Sequence, residues 1–140
     1  MHYLLDTCVL SEVIKPEPVP SVLEWLESAD ESGLFLSVLT LGEIQKGVSA
    51  LPDGRRQRQL QSWLDNDLCN RFAGRILPVM ARTAADWGIL SGNARRQGHA
   101  VPVIDGLLAA TARQHDLTLV TRNTADFELL GVVLMNPWEG

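Results

Sequence analysis

Short apolar runs recur along the chain, and most are followed by stretches whose apolar residues return every three or four positions. His2 to Leu5 reads as a short buried strand, and a helix follows Asp6-Thr7 to about Ile14. Pro16, Pro18 and Pro20 make a stiff connection, since each ring fixes φ and removes a backbone donor. Ser21-Val22-Leu23-Glu24 has capping-box spacing and predicts a second helix with Val22, Leu23 and Leu26 on its apolar face. Gly33 precedes a strand from Leu34 to Val38, and Thr40-Leu41-Gly42-Glu43 repeats the capping-box pattern before a helix to about Leu51. Beyond the turn Pro52-Asp53-Gly54, Leu60, Trp63, Leu64 and Leu68 recur at helical spacing as far as about Phe72, which predicts a helical hairpin. Arg75 to Val79 is a short strand that Pro78 places at an edge or an end. Thr83 to Gln97 is helical, with Trp87, Leu90 and Ala94 on one face and Gly98 as its stop. Val101-Pro102-Val103-Ile104 is a further apolar run, and Asp105 opens a helix through His115. A strand from Leu117 to Thr121, a helical turn from Asp126 to Leu130 and a strand from Val132 to Met135 complete the pattern. Strands alternating with helices predict an α/β fold with a mostly parallel sheet and right-handed crossovers. With no internal repeat or boundary in sight, residues 1–140 read as one domain.

Acidic residues punctuate this pattern. Asp6, Glu43, Asp105 and Asp126 each come where an apolar stretch gives way to an expected helix. The carboxyl ends of parallel strands share one rim of a sheet, where ligands bind, so four such carboxylates converge on one pocket. Like charges that close repel unless cations neutralise them, which makes a divalent metal site the economical explanation. Hard oxygen ligands favour Mg²⁺ or Mn²⁺. Taken singly, each acid also fits a capping or loop-orienting role. Thr121 and Asn123 add neutral polar groups near the same rim.

Composition narrows the field. Hydrophobic residues make up 46% of the chain, and no apolar run approaches the length of roughly 20 residues that spans a bilayer. Two cysteines, Cys8 and Cys69, give no disulfide framework and read as small buried hydrophobes, which together with the absence of a signal segment suggests a reduced cytoplasm. The net charge is −5, but eight arginines face only Asp65, Asp67 and Asp86 between Arg55 and Arg96, so this segment suits a polyanion or a solvated helix face. His2, His99 and His115 share no ligand spacing, and no serine elbow or phosphate-binding glycine loop is present.

Four segments carry a resemblance: Leu4-Leu5-Asp6-Thr7, Thr40-Leu41-Gly42-Glu43-Ile44, Val103 to Ala112, and Thr121-Arg122-Asn123-Thr124-Ala125-Asp126-Phe127. Together with Asn136-Pro137-Trp138 they resemble, in order and over nearly the whole chain, the PIN-domain family and within it the FitB-like branch of VapC toxins. The resemblance implies a three-layer α/β/α fold with a central sheet of four to five strands and a helical hairpin. It also implies a Mg²⁺- or Mn²⁺-dependent ribonuclease, working as a homodimer and silenced by a cognate antitoxin. Asp6, Glu43 and Asp105 match the family's acidic positions, and the fourth falls to Asp126 or Asn123.

On that reading a metal held by Asp6 and Asp105 polarises a phosphoryl oxygen and activates water, while Glu43 completes the ligand shell. Asp126 positions water or a second metal, and Thr7, Thr121 and Asn123 meet the substrate. Arginines 55, 56, 58, 95 and 96 bind the RNA backbone by charge. Apolar grooves near residues 8–14 and 41–68 would dock an amphipathic antitoxin segment that brings a cation to the carboxylates. The main alternative is a catalytically silent PIN scaffold that binds RNA or a partner protein. A phosphatase using Asp6 as nucleophile would need a second aspartate where Cys8 stands, and a receiver-like module would need a late lysine, absent after Lys46.

Overall fold

In the computed structural model, residues 1–139 are described. Five strands, β1 (Tyr3–Leu5), β2 (Leu34–Ser37), β3 (Ile76–Leu77), β4 (Thr118–Val120) and β5 (Leu134–Met135), form one sheet in the order β3-β2-β1-β4-β5. Every neighbouring pair is parallel, so the sheet is wholly rather than mostly parallel. The helices are α1 (Thr7–Val13), α2 (Pro20–Ser28), α3 (Val38–Ser49), α4 (Arg55–Ser62), α5 (Cys69–Arg71), α6 (Ala81–Arg96) and α7 (Val103–Gln114).

Strand side chains alternate between two cores, as period-2 geometry requires. Leu5, Leu34, Leu36 and Val120 join Val9, Val22, Ile44, Leu64 and Phe72 on the face covered by α1 to α5. Leu4 and Leu119 point the other way, into Leu108, Ala109, Ala112 and Phe127 under α7. Strands packed on both faces have no polar side, and this is why they read as short unbroken apolar runs.

Several boundaries differ from the sequence reading. Helix α2 starts with Pro20 at its first turn and has no side-chain cap, because proline's fixed φ suits that position and Ser21 falls inside the helix. Helix α3 is capped by Ser37, whose hydroxyl accepts from the Leu39 N–H at 3.0 Å. Thr40 is therefore an interior, fully buried residue rather than a cap, and Glu43 sits in the second turn. The expected single helix after Gly54 is divided into α4, a π-helical segment Trp63–Leu68 with Leu64 and Leu68 buried, and α5. No strand forms at 101–104. Helix α7 begins at Val103, and Asp105 lies within its first turn instead of opening it. Gly98, at φ +84°, terminates α6 as expected. Helices α6 and α7 pack closely enough that a Cβ on Gly106 would stand 2.7 Å from Trp87 Cδ1.

Candidate active site

Because all strands run the same way, the ends of β1, β2 and β4 lie along one rim, and the acids gather there from separate elements. Asp6 follows β1 directly. Its Oδ1 accepts the Thr7 N–H at 2.8 Å and so caps α1, and its Oδ2 accepts the Thr121 hydroxyl at 2.8 Å. Only 8% of Asp6 is exposed, and burial lifts its carboxyl above the usual range despite these hydrogen bonds, with a further push from Asp126. Thr121 is fully buried, just beyond β4, and its oxygen also accepts the Asn123 N–H at 3.1 Å. Glu43 reaches the group from α3, where its Oε1 accepts the Thr7 hydroxyl at 2.8 Å.

Asp105 reports the company it keeps. Its carboxyl is pushed from 3.8 to about 6, first by burial, then by the charges of Asp6, Asp126 and Glu43. All four predicted acids thus share one electrostatic neighbourhood. Asp126 ends a short 3-10 turn at 124–126 and stays exposed at the margin. Among the described residues no three side chains close into a ready-made metal cage.

The predicted polar residues divide in use. Thr7 and Thr121 commit their hydroxyls to Glu43 and Asp6, whereas Asn123 is exposed and makes no side-chain cap bond. Cys8, expected as a buried hydrophobe, is half-buried and belongs to the site: its thiol lies 3.9 Å from Asp6 Oδ2 and 3.7 Å from Thr121 Oγ1. Burial and the Asp6 carboxylate raise its pKa, so the thiol stays protonated at neutral pH. Cys69 is half-buried too. The sequence signal for Cys8 was its position two residues past Asp6, on the first turn of the helix that Asp6 caps. A groove of about 380 Å³, lined by Val38, Leu39, Gly42, Glu43, Lys46 and Ile104, adjoins the pocket.

Residues 3–131 match the family model described as PIN domain. The chain belongs to the PIN-domain family. It is 38% identical to Toxin FitB of Neisseria gonorrhoeae over 135 residues, covering 96% of this chain and 97% of that one. It is 36% identical to VapC ribonuclease Y4jK of Sinorhizobium fredii, with 97% of each chain covered. The crystal structure of FitAcB from Neisseria gonorrhoeae superposes with a TM-score of 0.94 at 38% identity, over 99% of both chains. This PIN chain therefore shares the fold of the FitB structure and matches its FitB- and VapC-named relatives over nearly their full length. No helix among the described residues is long and apolar enough to cross a membrane.

Proposed function

We propose that this chain is a divalent-metal-dependent endoribonuclease and the toxin of a toxin–antitoxin pair. The observation that carries the reading is the approach of Asp6, Glu43, Asp105 and Asp126 from four separate elements, with Thr7 tied to Glu43 and Thr121 tied to Asp6 and with the charges of Asp6, Asp126 and Glu43 all felt at Asp105. Likeness to a named VapC ribonuclease over nearly the whole chain supports the reaction class. The donor set fits Mg²⁺ or Mn²⁺, since it offers hard carboxylate oxygens whose mutual repulsion a cation would relieve.

Asp6 and Asp105 are the metal-holding pair in this proposal, and Glu43 completes the shell. When bound, a divalent cation offsets charge on the phosphoryl group and acidifies a water. The chain's own residues do the positioning. Thr121 and the α1 amide fix both oxygens of Asp6, and Thr7 fixes one oxygen of Glu43, leaving the other free. Asp126 orients water at the open margin, and Asn123 meets the substrate. The groove beside Glu43, with apolar walls at Val38, Leu39 and Ile104, suits an amphipathic antitoxin segment whose cation reaches the carboxylates.

The test is cleavage of total RNA by purified protein with and without Mn²⁺, mapped at the new ends, beside Asp6→Asn and Asp105→Asn. Cleavage is expected only with metal and only in the parent. Full activity in both variants would refute the metal-site reading. RNA binding without cleavage by the parent would return the chain to the silent-scaffold alternative.

A further inference from the structure

Four carboxylates at one pocket repel a polyanion, so a substrate-binding cation near the rim is needed to offset them. The arginine-rich segment does not supply it in full. Arg71 and Arg75 are engaged with Glu31, which precedes β2 at the end opposite Ser37. Arg75 also donates to the Leu34 carbonyl at 2.7 Å and stacks on Phe72, so both serve the fold.

Arg122 differs from them. It is exposed, adjacent to the Thr121 that holds Asp6, and its backbone N–H donates to Cys8 Sγ at 3.5 Å. Among the described residues the ion pairs are those of Lys15, Arg71 and Arg75, and none involves Arg122. Its guanidinium lies over the Trp138 ring, 5.7 Å from the centroid. That ring is itself held. Trp138 Nε1 donates to Glu12 Oε1 at 3.2 Å, and its backbone N–H donates to Asn136 Oδ1 at 3.0 Å. Asn136 in turn donates to the Arg122 carbonyl at 3.4 Å. Glu12 is 2% exposed and also accepts from Lys15 and the Val19 N–H. A guanidinium already laid on a fixed ring loses less freedom on binding than a loose one, and its planar fork matches two phosphate oxygens.

We infer that Arg122, laid on Trp138, binds a backbone phosphate of the RNA next to the one at the carboxylates, with Trp138 as its positioning residue. The inference rests on the ribonuclease reading above. It involves phosphate oxygens only, so it adds affinity without base preference. The C-terminal Asn136-Pro137-Trp138 segment then has a role at the site, although the acids come from elsewhere in the chain.

The experiment compares Arg122→Gln, Arg122→Lys and Trp138→Leu with the parent in cleavage of a short single-stranded RNA. Binding is measured by anisotropy in an Asp6→Asn background, between about 50 and 200 mM salt. Arg122→Gln is expected to raise KM about tenfold, with kcat within about twofold. It should also flatten the slope of log affinity against log salt by about 0.7, the value for one phosphate contact on a single strand. Arg122→Lys keeps the salt slope and loses part of the affinity. Trp138→Leu, at a melting temperature that shows it folded, gives a smaller KM increase than Arg122→Gln. An unchanged slope and KM in Arg122→Gln, whatever its melting temperature, overturns this inference alone. A parent that neither binds nor cuts RNA overturns the ribonuclease reading and the inference with it.

Discussion

Removing the Asp105 charge should make the metal-free protein more stable. The folded chain holds this carboxyl at about 6, against 3.8 for an unperturbed aspartate, so folding forces a charge into a place that disfavours it at neutral pH. Full conversion of that shift gives ~3 kcal/mol at 1.36 kcal/mol per pH unit. Asp105 is only partly buried, and solvent screening reduces the figure to about 1–2 kcal/mol. For a chain of this size that corresponds to a melting temperature higher by roughly 3–10 °C in Asp105→Asn. The sign with pH follows from linkage. A carboxyl with a raised folded pKa contributes stability below its unfolded value, about 4, and loses it as pH rises through about 6. The advantage of Asn should therefore vanish near pH 4, grow between about 4 and 6, and be complete at pH 7. Calorimetry of parent and variant in chelator across this range measures it. Adding Mn²⁺ should then stabilise the parent and leave the variant almost unmoved, because ligand binding favours the folded state only where the site is intact. A gain of equal size at pH 4 and pH 7, or no gain, would refute the reasoning from shared charge.

Two further outcomes are expected. Gly106→Ala places a methyl against Trp87 and Ser91 at the α6–α7 contact, and overpacking of this kind should cost about 1–3 kcal/mol, read as a lower melting temperature. A variant as stable as the parent would mean that the two helices part freely. Charge reversal of Arg55, Arg56 and Arg58 should weaken RNA binding and flatten its salt dependence without changing kcat, and an unchanged slope would return them to the solvated surface.

The strands were legible because burial on both faces left Leu4-Leu5, Leu34 to Leu36 and Leu117 to Val120 almost free of polar residues. Helix starts were less so. Thr40 through Glu43 has the spacing of a capping box, but Ser37 three residues earlier has the same chemistry, and the end of β2 decides between them. The apolar run at 101–104 likewise marks no strand, since Val103 and Ile104 belong to the first turn of α7. At the site, strand polarity accounts for Asp6 after β1 and Asp126 beyond β4, whereas Glu43 arrives from the second turn of α3 and Asp105 from the first turn of α7, which no strand directly precedes. The contacts of Cys8 with Thr121, and of Arg122 with Trp138, join residues far apart in sequence, and no local spacing encodes them.

The strand order has a consequence for how the pocket could be taken apart. Residues before Pro78 supply β3, β2 and β1 as a contiguous block with Asp6 and Glu43, and residues after Met80 supply β4 and β5 with Asp105 and Asp126. The border between the blocks runs along the β1–β4 pairing, and the hydrogen bond from Thr121 to Asp6 crosses it. Neither block holds more than half of the acids, and each leaves apolar residues exposed that the other covers. The topology thus deals the pocket out in halves: two fragments parted at the Pro78–Met80 connection would each carry two of the four acids, and the proposed site would exist only where they meet.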